Sequence, residues 1–91
     1  MKGMRVEVYT TRVCPYCVAA KRLLNKRGIA YAEIDVSGDH DKREWLVAQS
    51  GQRTVPQIFI DGEPIGGFAE LDALDRSGEL AARMSRASES A

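Results

Sequence analysis

The sequence has little of what usually declares a protein's class. Two cysteines in 91 residues are too few for a disulfide-stapled secreted scaffold. Charge of one sign is missing too, since 13 lysines and arginines face 13 aspartates and glutamates. A general binder of nucleic acid or membrane surfaces carries a basic excess, so neither partner is expected. No apolar run approaches the roughly 20 residues of a membrane span. Met1-Lys2-Gly3-Met4-Arg5 leads directly into strand-like sequence without the apolar stretch of a signal peptide, so a cytoplasmic location is expected. Repeats and linkers are also lacking. One domain over residues 1–84 is expected, followed by a small polar tail, 85–91, expected to be flexible.

What is present is enough for a core, with 44% of the residues hydrophobic. Arg5 to Thr10 alternates like a strand, with Val6 and Val8 on one side. Pro15 suits the first turn of a helix, where its missing N–H is not needed. That helix should run to about Arg27, with Cys17, Val18, Ala20, Leu23 and Leu24 as its apolar stripe. Lys21, Arg22, Lys26 and Arg27 suit the negative end of its dipole, Gly28 its stop, and Ile29 packs back. Residues 1–27 hold seven cations against Glu7 alone, a local +6 balanced by the remainder of the chain.

Ala30 to Val36 is a second strand, and a helix from about Asp41 to Ser50 follows, with Trp45, Leu46 and Ala48 as expected core contacts. Val55 to Ile60 is apolar enough for a central strand. Asp61-Gly62 is a two-residue hairpin turn. Pro64 puts the next strand, Glu63 to Gly66, at an edge. Helices from Phe68 to about Asp75 and from Glu79 to Met84 complete the order β-α-β-α-β-β-α-α.

The chemistry concentrates in Cys14-Pro15-Tyr16-Cys17, between the first strand and the first helix. A C-x-x-C beside a βαβ pattern reads as a thiol–disulfide redox motif. Cys14 falls where the first N–H groups of the helix favour a thiolate, which is the nucleophile of disulfide exchange. Cys17, one turn on and on the apolar face, is the poorer nucleophile and the natural resolver. Two blander readings compete. A zinc half-site would need two more ligands, and His40 is a lone histidine; two incidental buried cysteines are the other.

Three segments together resemble the CPYC-type dithiol glutaredoxins, above all the short bacterial glutaredoxin-3-like members. They are Cys14-Pro15-Tyr16-Cys17, Thr54-Val55-Pro56-Gln57-Ile58-Phe59-Ile60 and Ile65-Gly66-Gly67. The resemblance spans Val6 to about Leu80. It implies a thioredoxin-like fold, with a four-stranded mixed sheet flanked by helices. It implies an enzyme, a glutathione-dependent thiol–disulfide oxidoreductase acting on protein disulfides and glutathione mixed disulfides and donating electrons to reductases. Glutathione is then a cosubstrate, and no bound cofactor or metal is expected. Disulfide-bearing or glutathionylated proteins are the expected partners, and the monomer is the expected state.

The same resemblance implies a cis Val55–Pro56 bond that turns the Val55 backbone toward the cysteines, with Thr54 beside it. It places a γ-glutamyl carboxylate on the backbone N–H groups where Gly66-Gly67 opens the next helix, with Gly67, Phe68, Ala69 and Glu70 as glutathione-binding residues. Tyr16 is expected to flank the thiols, and Arg43 to face the glycine carboxylate of glutathione. Phe68-Ala69-Glu70 stands where many members have Cys-Asp-Asp or Cys-Ser-Asp, so Glu70 is expected to replace an aspartate. Thr11 stands where the family often has Lys or Arg, which leaves Arg12 as the cation near Cys14. Two alternatives stay open. One is an electron donor fed by thioredoxin reductase; the other is a delivery module with a [2Fe–2S] cluster bridged between two chains.

Overall fold

The computed structural model describes residues 4–89, except the side chains of 87–89. Eight elements follow in chain order: β1 (Val6–Thr10), α1 (Pro15–Lys26), β2 (Ala32–Asp35), α2 (His40–Ser50), β3 (Gln57–Ile60), β4 (Glu63–Gly66), α3 (Phe68–Ser77) and α4 (Glu79–Glu89). The strands form one mixed sheet in the order β2-β1-β3-β4. β1 and β2 are parallel, whereas β3 is antiparallel to both β1 and β4. This is the thioredoxin-like arrangement the motifs imply.

Alternation along the strands divides the core between the two sheet faces. Val6, Val8, Ile58 and Ile60 meet Ala20 and Leu24 of α1, Leu71 of α3 and Leu80 of α4. Tyr9 and Phe59 lie on the other face with Val36 and Leu46 of α2. The junctions carry recognisable stops. Gly28 takes a positive φ of 72° after α1, while the Ile29 N–H returns to the Leu24 carbonyl at 2.9 Å. Asp61 and Gly62 both adopt positive φ, 52° and 84°, as a tight hairpin between twisted strands requires.

Several expectations need correction. Trp45 is not a core residue; it is 45% exposed and lies as a lid over Phe59 and Tyr9, with ring centroids 6.0 and 5.7 Å away. Ala48 is exposed. Val18 is 47% exposed, because the buried arc of α1 is only wide enough for Cys17, Ala20 and Leu24. β2 begins at Ala32 and β3 at Gln57, which leaves Val55 and Pro56 in the loop before the strand. α3 runs on to Ser77. α4 continues past Met84 to Glu89, because Arg83 pairs with both Glu79 and Glu63 of β4 and Arg86 with Glu79. The expected boundary at residue 84 thus falls within a helix; residues 90 and 91 of the expected tail, like residues 1–3, lie outside the described residues.

Candidate active site

Three connections meet around the start of α1: the β1–α1 turn, the loop before β3 and the β4–α3 junction. Cys14 is the N-cap of α1 with extended backbone, and Pro15 fills the first helical position. The Cys17 N–H points at Cys14 Sγ at 3.1 Å. This sulfur therefore stands where a serine or aspartate oxygen would cap the helix, facing donors that favour negative charge. Cys14 and Cys17 are joined as a disulfide, with Cα atoms 5.2 Å apart. Cys14 is part-exposed, whereas Cys17 is 2% exposed.

From the opposite side comes the loop before β3. The Val55–Pro56 peptide is cis, and the Val55 carbonyl oxygen lies 3.7 Å from Cys14 Sγ. The β4–α3 junction closes the third side. Gly66 has φ 124°, where a side chain strains the backbone, and a Cβ there would sit 2.8 Å from Glu70 Cγ and Oε1 and displace that side chain. The Glu70 carboxylate accepts the Gly67 N–H at 2.7 Å and caps α3.

These pieces enclose a groove of about 270 Å³ lined by Tyr16, Thr54, Val55, Pro56, Gly67, Phe68, Ala69 and Glu70. Tyr16 stacks along Phe68, with centroids 6.3 Å apart, so one aromatic wall runs from the cysteines to the start of α3. The groove offers one peptide edge at Val55 and the unpaired first-turn N–H groups of α3. That combination can hold a short extended peptide bearing a carboxylate.

Arg12 and Arg43 do not line the groove. The exposed Arg12 uses its backbone N–H to bond Ser37 Oγ at 2.8 Å. Arg43 is half-buried, and its guanidinium reaches the Arg53 carbonyl at 3.4 Å, just ahead of Thr54. Arg53 itself pairs with Glu44 at 3.0 Å. Among the described residues no group of three or more His, Cys, Asp or Glu gathers to hold a metal ion, and the exposed His40 is the first residue of α2. No helix among them is long and apolar enough to cross a membrane.

Two features went unread in the sequence. Gln57 is buried behind the groove; a lone polar residue in an otherwise apolar strand was the signal. Glu70 caps its own helix, and its spacing three residues after Gly67 was the signal there.

Comparison with known proteins decides what this site belongs to. The glutaredoxin family pattern matches residues 6–65. The chain belongs to the glutaredoxin family. It is a glutathione-dependent thiol–disulfide oxidoreductase with a redox-active cysteine pair. Over 75 residues it is 49% identical to glutaredoxin 3 of Escherichia coli K12, covering 82% of this chain and 90% of that one. The crystal structure of a buckwheat glutaredoxin–glutathione complex superposes with a TM-score of 0.83 at 31% identity, over 91% of this chain and 78% of that chain. The solution structure of the Brucella melitensis glutaredoxin gives 0.81 at 38% identity, over 92% and 91%.

Proposed function

We propose that Cys14 is the attacking thiolate and Cys17 the resolving thiol of a glutathione-linked cycle. Glutathione lies in the groove in this reading, with its cysteinyl backbone along Val55. Its γ-glutamyl carboxylate meets the first turn of α3 at Phe68 and Ala69, and Tyr16, Thr54, Pro56, Gly67 and Glu70 complete the walls. The observation that carries the assignment is the capping geometry: Cys14 Sγ receives the Cys17 N–H at 3.1 Å while Cys17 itself is almost fully buried. The buckwheat relative, crystallised as a glutathione complex, supports glutathione as the ligand.

The chemistry balances in two routes. In the first, Cys14 thiolate attacks the glutathione sulfur of a mixed disulfide, forms Cys14–S–S–glutathione and expels the other thiolate, which takes up a proton. A second glutathione thiolate then attacks the bound glutathione sulfur, giving glutathione disulfide and restoring Cys14. In the second, Cys14 attacks a protein disulfide, and Cys17 attacks Cys14 Sγ to release the reduced protein. The resulting Cys14–Cys17 disulfide is returned to thiols by two glutathiones. Disulfide-bearing or glutathionylated proteins are the partners in this reading, and the enzyme works as a cytoplasmic monomer.

The test is turnover of a small glutathione mixed disulfide, coupled to glutathione reductase, for the wild type and for each cysteine→serine variant. Cys14→Ser is expected to lose all activity and Cys17→Ser to keep it. Equal losses overturn the division of roles.

A further inference from the structure

β3 is apolar except at its first residue. Gln57 is 1% exposed. It pairs with Tyr9 across the β1–β3 ladder and so points to the sheet face that α2 covers. Its Nε2 donates to the Thr54 carbonyl at 2.6 Å. Its Oε1 is buried without a partner among the described protein groups. The amide cannot be turned round, because a carbonyl facing a carbonyl has no proton to share.

Filling this space does not require a glutamine. A methionine is nearly the same length and would remove the stranded Oε1, while the carbonyl of the exposed Thr54 can turn to water. What a methionine cannot do is donate to Thr54. That bond ties the strand back onto Thr54, Val55 and Pro56, the wall of the groove facing Tyr16 and Phe68. The same wall carries the Val55 carbonyl, 3.7 Å from Cys14 Sγ.

We infer that Gln57 is a positioning residue: it touches no ligand, but its side chain holds the Thr54–Pro56 wall at the distance from Cys14 that aligns a peptide-like disulfide for attack. The inference rests on the groove being the glutathione site. It assigns ligand alignment to a residue behind the wall.

The test is Gln57→Met in the full chain. KM for a small glutathione mixed disulfide is expected to rise about three- to tenfold, the range that one lost hydrogen bond commands. Its kcat stays within about twofold, and its melting temperature is equal or higher. Alkylation of reduced Cys14 by iodoacetamide, which needs no groove, keeps the wild-type rate. Gln57→Asn retains an amide that is one methylene too short and is expected to raise KM in the same way. The backbone amide resonances of Thr54 and Val55 read the wall directly without glutathione. They should shift or broaden in Gln57→Met, while those of α1 stay in place.

An unchanged KM with unmoved Thr54 and Val55 resonances overturns the inference. So does a parallel fall in melting temperature, kcat and alkylation rate, or failure of both variants to fold, since each makes Gln57 a general support of the sheet. If the wild type shows no glutathione-dependent turnover, the proposed function fails instead, and the resonances still decide whether Gln57 holds the wall.

Discussion

Replacing each cysteine by serine should make the more stable variant the inactive one. Position 14 is a helix N-cap whose side chain accepts the N–H of residue 17. Serine is among the best N-cap residues, so Cys14→Ser is expected to change stability by less than about 0.5 kcal/mol. Position 17 is 2% exposed on the core side of α1. A hydroxyl placed there loses its water, at a cost of about 1–3 kcal/mol. A bond to the carbonyl four residues back recovers part of this, which leaves about 1–2 kcal/mol. A domain of this size loses roughly 4–8 °C of melting temperature per kcal/mol. Cys17→Ser should therefore melt roughly 5–15 °C below Cys14→Ser. Both are measured by circular dichroism in excess reductant, so that the cross-link of the wild type does not enter the comparison. Turnover of the small mixed disulfide should run the other way, absent in Cys14→Ser and retained in Cys17→Ser. Equal melting temperatures would refute the burial argument for Cys17. Activity in Cys14→Ser would refute the nucleophile assignment, whatever the melting temperatures.

Three further outcomes are expected. Leu24→Ala empties a fully buried site at the centre of the α1 face and should cost about 3 kcal/mol, or roughly 12–24 °C in a thermal melt; a shift under about 5 °C would show the core collapsing around the gap. Glu70→Ala removes the acceptor of the Gly67 N–H and should cost about 0.5–1.5 kcal/mol in urea unfolding; no change would mean that the cap contributes nothing. In acid, Asp75 is held below the ordinary carboxylate range by its hydrogen bonds to Arg27, Glu79 by Arg86 and Arg83, and Glu33 by Lys21. Each lowered group binds its proton more readily unfolded than folded. Its contribution is complete above the unfolded pKa, near 4, and is lost as pH falls through the folded one. The melting temperature should thus hold from about pH 7 to 5 and decline below about pH 4.5, with a shallower decline in Asp75→Asn; an acid limb as steep in that variant would remove Asp75 from the account.

What the sequence determined by itself is what near neighbours decide. Pro15 after Cys14 starts a helix, and Gly28 with Ile29 ends it. Asp61-Gly62 turns a hairpin, and Pro64 marks an edge strand. These depend on backbone preferences and on periodicity within a few residues, so the element order and the cysteine pair at a helix start were legible. The groove residues Thr54, Val55, Pro56 and Gly67 to Glu70 were legible only through resemblance to a family. Their meeting with Cys14 spans 41 positions between Cys14 and Val55, and local pattern carries no such information.

The tertiary structure decided the rest because sheet order and helix placement set which side chains share space. Trp45 sits on the apolar pattern of α2, but the single helix on that face leaves its ring half in solvent. The sequence suggests Arg12 as the cation near Cys14 and Arg43 as the partner of a glycine carboxylate, yet the Arg12 backbone is tied to Ser37, the Arg43 guanidinium reaches the Arg53 carbonyl, and neither lines the groove. Gln57 reads as one polar letter in an apolar strand. Only the antiparallel pairing of β3 with β1 buries it, and only the return of the preceding loop brings the Thr54 carbonyl within reach of its amide.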